Sequence, residues 1–427
     1  MRRVVKKGNT LLVNGPAFVQ LLSGEVRLLG TTFNVGEKMV IREGKRIPFE
    51  VHKKAEFELK LGENASFEEV SGSTIPTSWK EVSKKVLSEM KDVSTLTVMG
   101  GIDSGKTSFC TYIINKALKK GRKVAIIDAD LGQSDIGPPA TIGISCVKAP
   151  VRDLFEVGTE NTFFVGLTSP SKAVDKVIEG IVKLKSYASK LGVDFLVINT
   201  DGWVEGEEAV QYKVRLVEET RPDVVVGIQR SGELAPILNR LNNVAILTVD
   251  APLAIHRRSR EKRKILRELS YKKYLKGAKV RSFVLGWINI KGSCIGSGVP
   301  MSIKRVEKVK EILNLTPLYC KETSNKIFLV LKRGDKIQEE QIKKLEEEFG
   351  KKVKTIREED YEGLISALYD EKDRFLGIGI LEGIDYRRGI IKIYTPVSKK
   401  VATVSIGQIK LDRNCREIGV SSALTEN

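Results

Sequence analysis

The chain has 427 residues but only two histidines, His52 and His256, and five scattered cysteines, Cys110, Cys146, Cys294, Cys320 and Cys415. No C-x-x-C pair occurs, which excludes zinc-finger spacing. The thiols read as reduced, mostly small core residues, not as a disulfide framework. No apolar run approaches the roughly 18 residues of a membrane span. Residues Met1 to Lys7 are basic, and Gly8 and Asn9 follow without a long apolar stretch, so no secretory signal is expected. No internal repeat or low-complexity tract is present. These absences predict a cytoplasmic protein with no membrane partner.

One kind of charge is in excess. The 72 Lys and Arg residues outnumber the 54 Asp and Glu, for a net charge of +18. Such a balance favours an anionic partner, nucleic acid before acidic membrane. A generally charged surface of the thermophile type is the alternative reading.

The chemistry is declared at Gly100-Gly101-Ile102-Asp103-Ser104-Gly105-Lys106-Thr107, which fits the P-loop pattern G-x-x-x-x-G-K-[ST] at every position. The partly β-branched run Thr95 to Met99 precedes it as a buried strand. Ser108 to Lys120 follows with helical apolar spacing, and Gly121 is the stop. Glycines let backbone N–H groups surround phosphate oxygens, and the helix N-terminus adds partial positive charge. Lys106 would reach the β- and γ-phosphates, and the Thr107 hydroxyl would ligate Mg²⁺. The expected nucleotide-contacting set is Gly100 through Ser108: Gly100, Gly101, Ile102, Asp103, Ser104, Gly105, Lys106, Thr107 and Ser108.

Around this loop the length predicts two to four domains. Residues 1–77 are β-rich, with short strand candidates (Val26 to Gly30, Lys38 to Ile41, Phe57 to Leu61) between glycine turns, as in a small sandwich or barrel. From 78 to 285, strands alternate with helices, which predicts a parallel sheet with crossover helices. Its nearly continuous apolar runs, such as Phe195 to Ile198 and Val224 to Ile228, suit strands covered on both faces. Residues 286–427 return to a mixed β-rich, α+β pattern, with a helix over Glu339 to Phe349. The expected fold is therefore multidomain: a central α/β P-loop NTPase domain with a parallel sheet, a small N-terminal β-rich domain and a C-terminal β-rich/α+β domain.

Three further stretches carry chemistry. Asp128 and Asp130 follow the strand after the P-loop helix, where a carboxylate serves Mg²⁺ directly or through water. One could organise the metal while the other accepts a proton from a hydroxyl nucleophile. Trp203 ends another apolar strand at Asn199-Thr200-Asp201-Gly202-Trp203. It either packs under its loop or stacks on a nucleobase. His256 to Lys276 holds ten Lys or Arg against two Glu, with Ile265, Leu266 and Leu269 as a thin apolar stripe. This basic helix reads as a lid whose arginines neutralise phosphate charge. A solvated helix face and a nucleic-acid backbone contact are the alternatives.

In order along the chain stand the P-loop, Asp128-x-Asp130-x-Gly132-Gln133, Thr141-Ile142-Gly143, Gly166-x-Thr168-Ser169-Pro170, Asn199-Thr200-x-Gly202-Trp203-Val204 and Arg258-x-x-x-x-Arg263. Together they resemble the polynucleotide 5′-hydroxyl kinases, the family that includes the RNA kinases of pre-mRNA 3′-end cleavage, tRNA splicing and pre-ribosomal RNA processing. The chain looks like an archaeal member. The resemblance implies ATP- and Mg²⁺-dependent phosphorylation of a 5′-hydroxyl end of RNA, extending to DNA. It implies catalytic roles for Lys106, Asp130, Arg258 and Arg263, and metal support from Thr107 and Asp128. Gln133, Thr168 and Trp203 would hold the nucleic-acid end, Trp203 by stacking. The family's N-terminal domain helps hold the adenine, through residues these motifs do not identify. The rival from the residues alone is a P-loop ATPase acting as a scaffold in RNA processing. A GTPase is disfavoured by the lack of an [NT]-K-x-D motif, and a small-molecule kinase by the charge.

Overall fold

Alternating apolar and polar residues give two long strands, Ala17–Leu28 and Arg46–Leu61, each with one buried face. They pair antiparallel along nearly their whole length in the computed structural model, which describes residues 1–90, 94–254, 258–293 and 298–421. The register slips three times between Leu21 and Val26. Bulges of this kind bend a strand, and here they curl a seven-stranded antiparallel sheet around Val19, Leu21, Phe33, Phe49 and Phe57. Gly24 sits in that bend at φ +103°, where a Cβ would meet the Lys54 carbonyl oxygen at 2.5 Å. No other residue fits there.

The strand runs of the central region come out as expected, in a spatial order that the chain order hides. The strands Val124–Asp128, Phe195–Asn199, Thr95–Gly100, Val224–Gln229 and Ala245–Asp250 lie side by side and parallel. Their apolar residues meet the helix Lys106–Lys119 in a core that includes Val98, Ile113, Ile126, Val197 and Val226. The sheet is mixed, however, where the sequence predicts a parallel one. Thr141–Val147 and Asn161–Phe164 extend its edge antiparallel. The reason is the connection. Only a loop joins Asp128 to Thr141, and a parallel return needs a longer crossover. The helix Thr77–Lys84, continued by the π turn Lys85–Glu89, buries Trp79 edge-on against Phe109.

These two regions make one compact unit, Met1–Arg267; the second is Glu268–Asn427. The chain passes between them within the helix Arg260–Tyr274. In the second unit a seven-stranded sheet, mostly antiparallel, packs around Leu364, Leu381, Ile393 and Val404. A four-stranded sheet with the helices Ile303–Leu313 and Glu339–Phe349 forms a smaller core around Val309, Leu329 and Leu345. The strand Lys279–Val284, before the sequence boundary at 285, pairs with Ile390–Thr395 in this unit. Cys294 lies outside the described residues. Among the described residues, no helix is long and apolar enough to cross a membrane.

Candidate active site

An open parallel sheet presents ligands at the carboxyl ends of its strands. Three neighbouring strands here end in Gly100, Asp128 and Asn199. From Gly100 the chain turns through Asp103 and Gly105, both at positive φ (52° and 98°), into the helix that begins at Lys106. The loop therefore aims backbone donors and a helix N-terminus at one point. The buried Lys106 ammonium donates to the carbonyls of Gly100 (2.9 Å) and Gly101 (2.7 Å). Burial pushes its pKa below the usual lysine value, and the nearby Asp130 charge works against that shift. The Ser104 hydroxyl is buried in the same loop without a hydrogen-bond partner.

Asp128 and Asp130 separate in environment. Asp128 is buried and fully engaged. One oxygen accepts from Ser134 Oγ and the Asp135 N–H, the other from Asn199 Nδ2 at 2.9 Å. Burial, with the charges of Asp135 and Asp130, pushes its carboxyl up to about 7. Asp130 is half-buried. Its Oδ1 accepts from the N–H groups of Gly132 and Gln133, at 3.1 and 2.9 Å, while Oδ2 has no hydrogen bond among the described residues.

Asn199 stands between Asp128 and the P-loop, its Nδ2 also 3.4 Å from Thr107 Oγ1. Its own Oδ1 is buried and unpartnered. An orphaned oxygen beside a hydroxyl and a carboxylate fits a hard cation. Among the described residues no group of three His, Cys, Asp or Glu side chains could hold a metal. A cation here would complete its ligands from phosphate and water beside these oxygens, as Mg²⁺ prefers. Asn199 stands in the motif Asn199-Thr200-x-Gly202-Trp203, whose residue types alone give it no role.

The residues expected to hold the nucleic-acid end lie nearby. Gly202 packs so closely on the P-loop that a Cβ would lie 2.9 Å from the Ile102 backbone, which brings Trp203 beside the phosphate loop. The half-buried Trp203 ring stacks on Tyr212, with centroids 5.7 Å apart and planes 23° apart. Thr168 abuts Gly132, its carbonyl oxygen 3.2 Å from the Cβ that Gly132 lacks. Gln133 lies at the Asp130 loop, but its side chain turns to the lid, donating to the Arg263 carbonyl at 3.1 Å.

The arginines of the expected lid reach the same loop. Arg258 donates to Asp103 from its backbone N–H and from Nε and Nη2. Arg263 donates to the Arg258 carbonyl and lies 3.6 Å from Asp103. Leu266 covers Gly44 of the N-terminal sheet. His256 and Arg257, at the start of the expected lid, lie outside the described residues.

Comparison with known proteins agrees with this arrangement. Residues 100–277 match the model of the mRNA cleavage and polyadenylation factor CLP1 P-loop. The polyribonucleotide 5′-hydroxyl-kinase of Methanocaldococcus jannaschii is 28% identical over 76% of this chain and 89% of its own. That of Pyrococcus furiosus is 29% identical over 81% and 95%. Among solved structures, wild-type Clp1p in complex with Pcf11p (454–563) superposes with a TM-score of 0.65 over 96% of this chain and 97% of that one. At 14% identity that likeness speaks to the fold alone. The P-loop, the strand ends at Asp128 and Asn199, and Arg258 and Arg263 all fall within residues 100–277, the stretch that is similar to the CLP1 P-loop.

Proposed function

We infer that this protein is a polynucleotide 5′-hydroxyl kinase, which transfers the γ-phosphate of ATP to the 5′-hydroxyl end of RNA. One observation carries the reading. A half-buried carboxylate with a free oxygen, Asp130, shares the field of the P-loop lysine, and an aromatic ring is packed against the same loop. Phosphoryl transfer asks mostly for positioning and charge stabilisation. The hydroxyl oxygen attacks the γ-phosphorus in line, the bond to the β,γ-bridging oxygen breaks, and ADP leaves. Asp130 takes or orients the hydroxyl proton. Lys106 exchanges its two loop carbonyls for phosphate oxygens. Arg258 and Arg263 stabilise the spreading charge from the lid, and its closure keeps water out.

Thr107, with Asp128 behind Asn199, would hold Mg²⁺. When bound, the ion screens the β- and γ-phosphates. A cavity of about 640 Å³ beside the N-terminal sheet is lined by Asn9, Thr10, Gly30 and Tyr112 and by Lys116, Lys119 and Lys120 at the far end of the P-loop helix, and it includes no residue of the phosphate loop. DNA ends would also serve as acceptors, since stacking on Trp203 does not read the sugar.

The test is transfer from γ-labelled ATP to matched RNA and DNA oligonucleotides, with and without a 5′-phosphate. Label on 5′-hydroxyl ends only is expected. A scaffold ATPase is the second reading, favoured by the engagement of both lid arginines with Asp103. Phosphate release that ignores the oligonucleotide, without label transfer, would establish it instead.

A further inference from the structure

Trp203 does not stand on its loop unsupported. Asp201, two residues earlier, is buried, and each of its oxygens is used. Its Oδ1 accepts the Trp203 N–H at 2.9 Å, which fixes the turn that presents the ring. Its Oδ2 accepts the Tyr212 hydroxyl at 2.7 Å and the Lys213 ammonium at 2.9 Å. Lys213 also donates to the Asp201 carbonyl at 3.2 Å. Its side chain has no solvent exposure, and the ammonium lies 4.7 Å from the centroid of the Tyr212 ring. Tyr212 in turn carries the Trp203 ring.

We propose that Asp201, Tyr212 and Lys213 form a positioning unit that holds Trp203 as a preset stacking platform for the base at the reacting 5′ end. The proposal rests on the kinase reading and adds to it how the acceptor base is placed. A buried lysine is costly unless paired, and a buried carboxylate likewise. Here both are confined to one side of a helix, Glu207–Thr220, directly behind the acceptor loop. Burial and the adjoining Asp201 charge hold the Tyr212 phenol far above its ordinary pKa, so it stays a donor. The unit also lies within reach of the phosphate site, since the charges of Lys213 and Asp201 act on Lys106. One face of the Trp203 ring rests on Tyr212, so a base stacking on the other makes a three-layer column. A platform locked in advance spends less ordering entropy when the strand end arrives.

The experiment compares two 5′-hydroxyl oligonucleotides that differ only in the first base, one normal and one abasic. The full-length chain and its Tyr212→Ala and Tyr212→Phe variants are used. Direct binding of the oligonucleotides is measured beside steady-state transfer. Loss of one base–aromatic stack is worth on the order of 10-fold. The unmodified chain is expected to bind and phosphorylate the normal end about 10-fold better, through KM. In Tyr212→Ala this preference should collapse toward unity, with the KM for ATP unchanged. Tyr212→Phe keeps the ring and should retain most of the preference. Where Tyr212→Ala melts early, the double variant Asp201→Asn/Lys213→Met replaces it, because it removes the charges together. The proposal is overturned if the unmodified chain ignores the missing base. It is equally overturned if folded variants keep the full preference, or if ATP and oligonucleotide KM rise in parallel. Absence of transfer to any end, with base-dependent binding intact, would instead count against the kinase reading alone.

Discussion

Asp103 of the P-loop accepts three hydrogen bonds from Arg258 of the lid, at 3.0 Å from its N–H, 3.0 Å from Nε and 2.6 Å from Nη2. The carboxylate side chain is only 4% exposed. Two segments distant in sequence are thus tied at the place where the phosphates would lie. Arg258 and Arg263 are held at the loop by its own acidic residue. Asp103→Asn keeps the shape but removes the charge that holds the guanidinium. It is expected to lower kcat about 10-fold, with a smaller change in the KM for ATP, and to speed tryptic cleavage within 258–276. Arg258→Lys should fail to restore the pair, because an ammonium lacks the planar fork. Proteolysis at the unmodified rate in Asp103→Asn would remove the tether from the account.

Under the kinase reading Lys106 and Asp130 divide the chemistry, and their variants should differ. Lys106→Ala removes the charge nearest the transferred group, so label transfer is expected to fall by ~100-fold or more. Asp130→Asn keeps the loop contacts weakly and removes the carboxylate proposed to take or orient the hydroxyl proton. A drop in kcat of roughly 100-fold with little change in ATP binding is expected. Equal loss of turnover and ATP affinity in Asp130→Asn would move that residue from proton handling to metal support.

Much of this site is legible from residue types alone. The apolar runs declare strands buried on both faces, so Asp128 and Asn199 can be set at strand ends before any fold is known. The glycine pattern and its flanks locate the phosphate loop. What the chain order conceals is adjacency. Phe195–Asn199 enters the sheet between the strands ending at Gly100 and Asp128, and only this insertion gives Asn199 its place between Thr107 and Asp128. Lys213 is hidden for another reason. In a helix with charges on several sides, a lysine reads as solvated, and its burial depends on Asp201 from another strand's loop. Gln133 lies in the Asp130 loop, its N–H bonded to Asp130 and its side-chain amide to the Arg263 carbonyl.

The N-terminal sheet is joined to the Asp128 loop by a partly buried ion-pair network. Arg42 reaches both Asp135 and Asp153, Lys45 reaches Asp135, and the Arg42 guanidinium lies 3.5 Å from the Phe155 ring centroid. Burial alone would push the Asp135 carboxyl up, but Lys45 and Arg42 outweigh it and hold it well below its ordinary value. A carboxyl with a depressed folded pKa contributes stability above its unfolded value, near 3.9, and that contribution is lost as pH falls from there toward the folded value. Thermal stability of the unmodified chain should therefore fall steeply below about pH 4. Arg42→Met leaves two buried carboxylates with less compensation and should cost on the order of 3 kcal/mol at neutral pH. Its melting temperature should recover in part as the pH is lowered toward 4, since protonation relieves the unpaired charge. Identical melting profiles for the two proteins from pH 7 to 4 would mean the network adds nothing.

Asn199 offers a test of the metal site that does not touch a carboxylate. Its Nδ2 bonds Asp128 at 2.9 Å, and its buried Oδ1 has no partner. Such a group is costly to bury, about 1–3 kcal/mol, unless something accepts or supplies the missing contact. Asn199→Leu removes that unsatisfied oxygen together with the bond to Asp128. If the oxygen serves the cation or its water, the variant should need about 10-fold more Mg²⁺ for half-maximal transfer. At saturating Mg²⁺ its KM for the oligonucleotide should match the unmodified protein. Chelation by EDTA should abolish transfer in both proteins, with recovery of the variant lagging as Mg²⁺ is restored. A variant with an unchanged Mg²⁺ requirement would assign Asn199 to packing the strand end, and leave Thr107 with the phosphates as the ion's support.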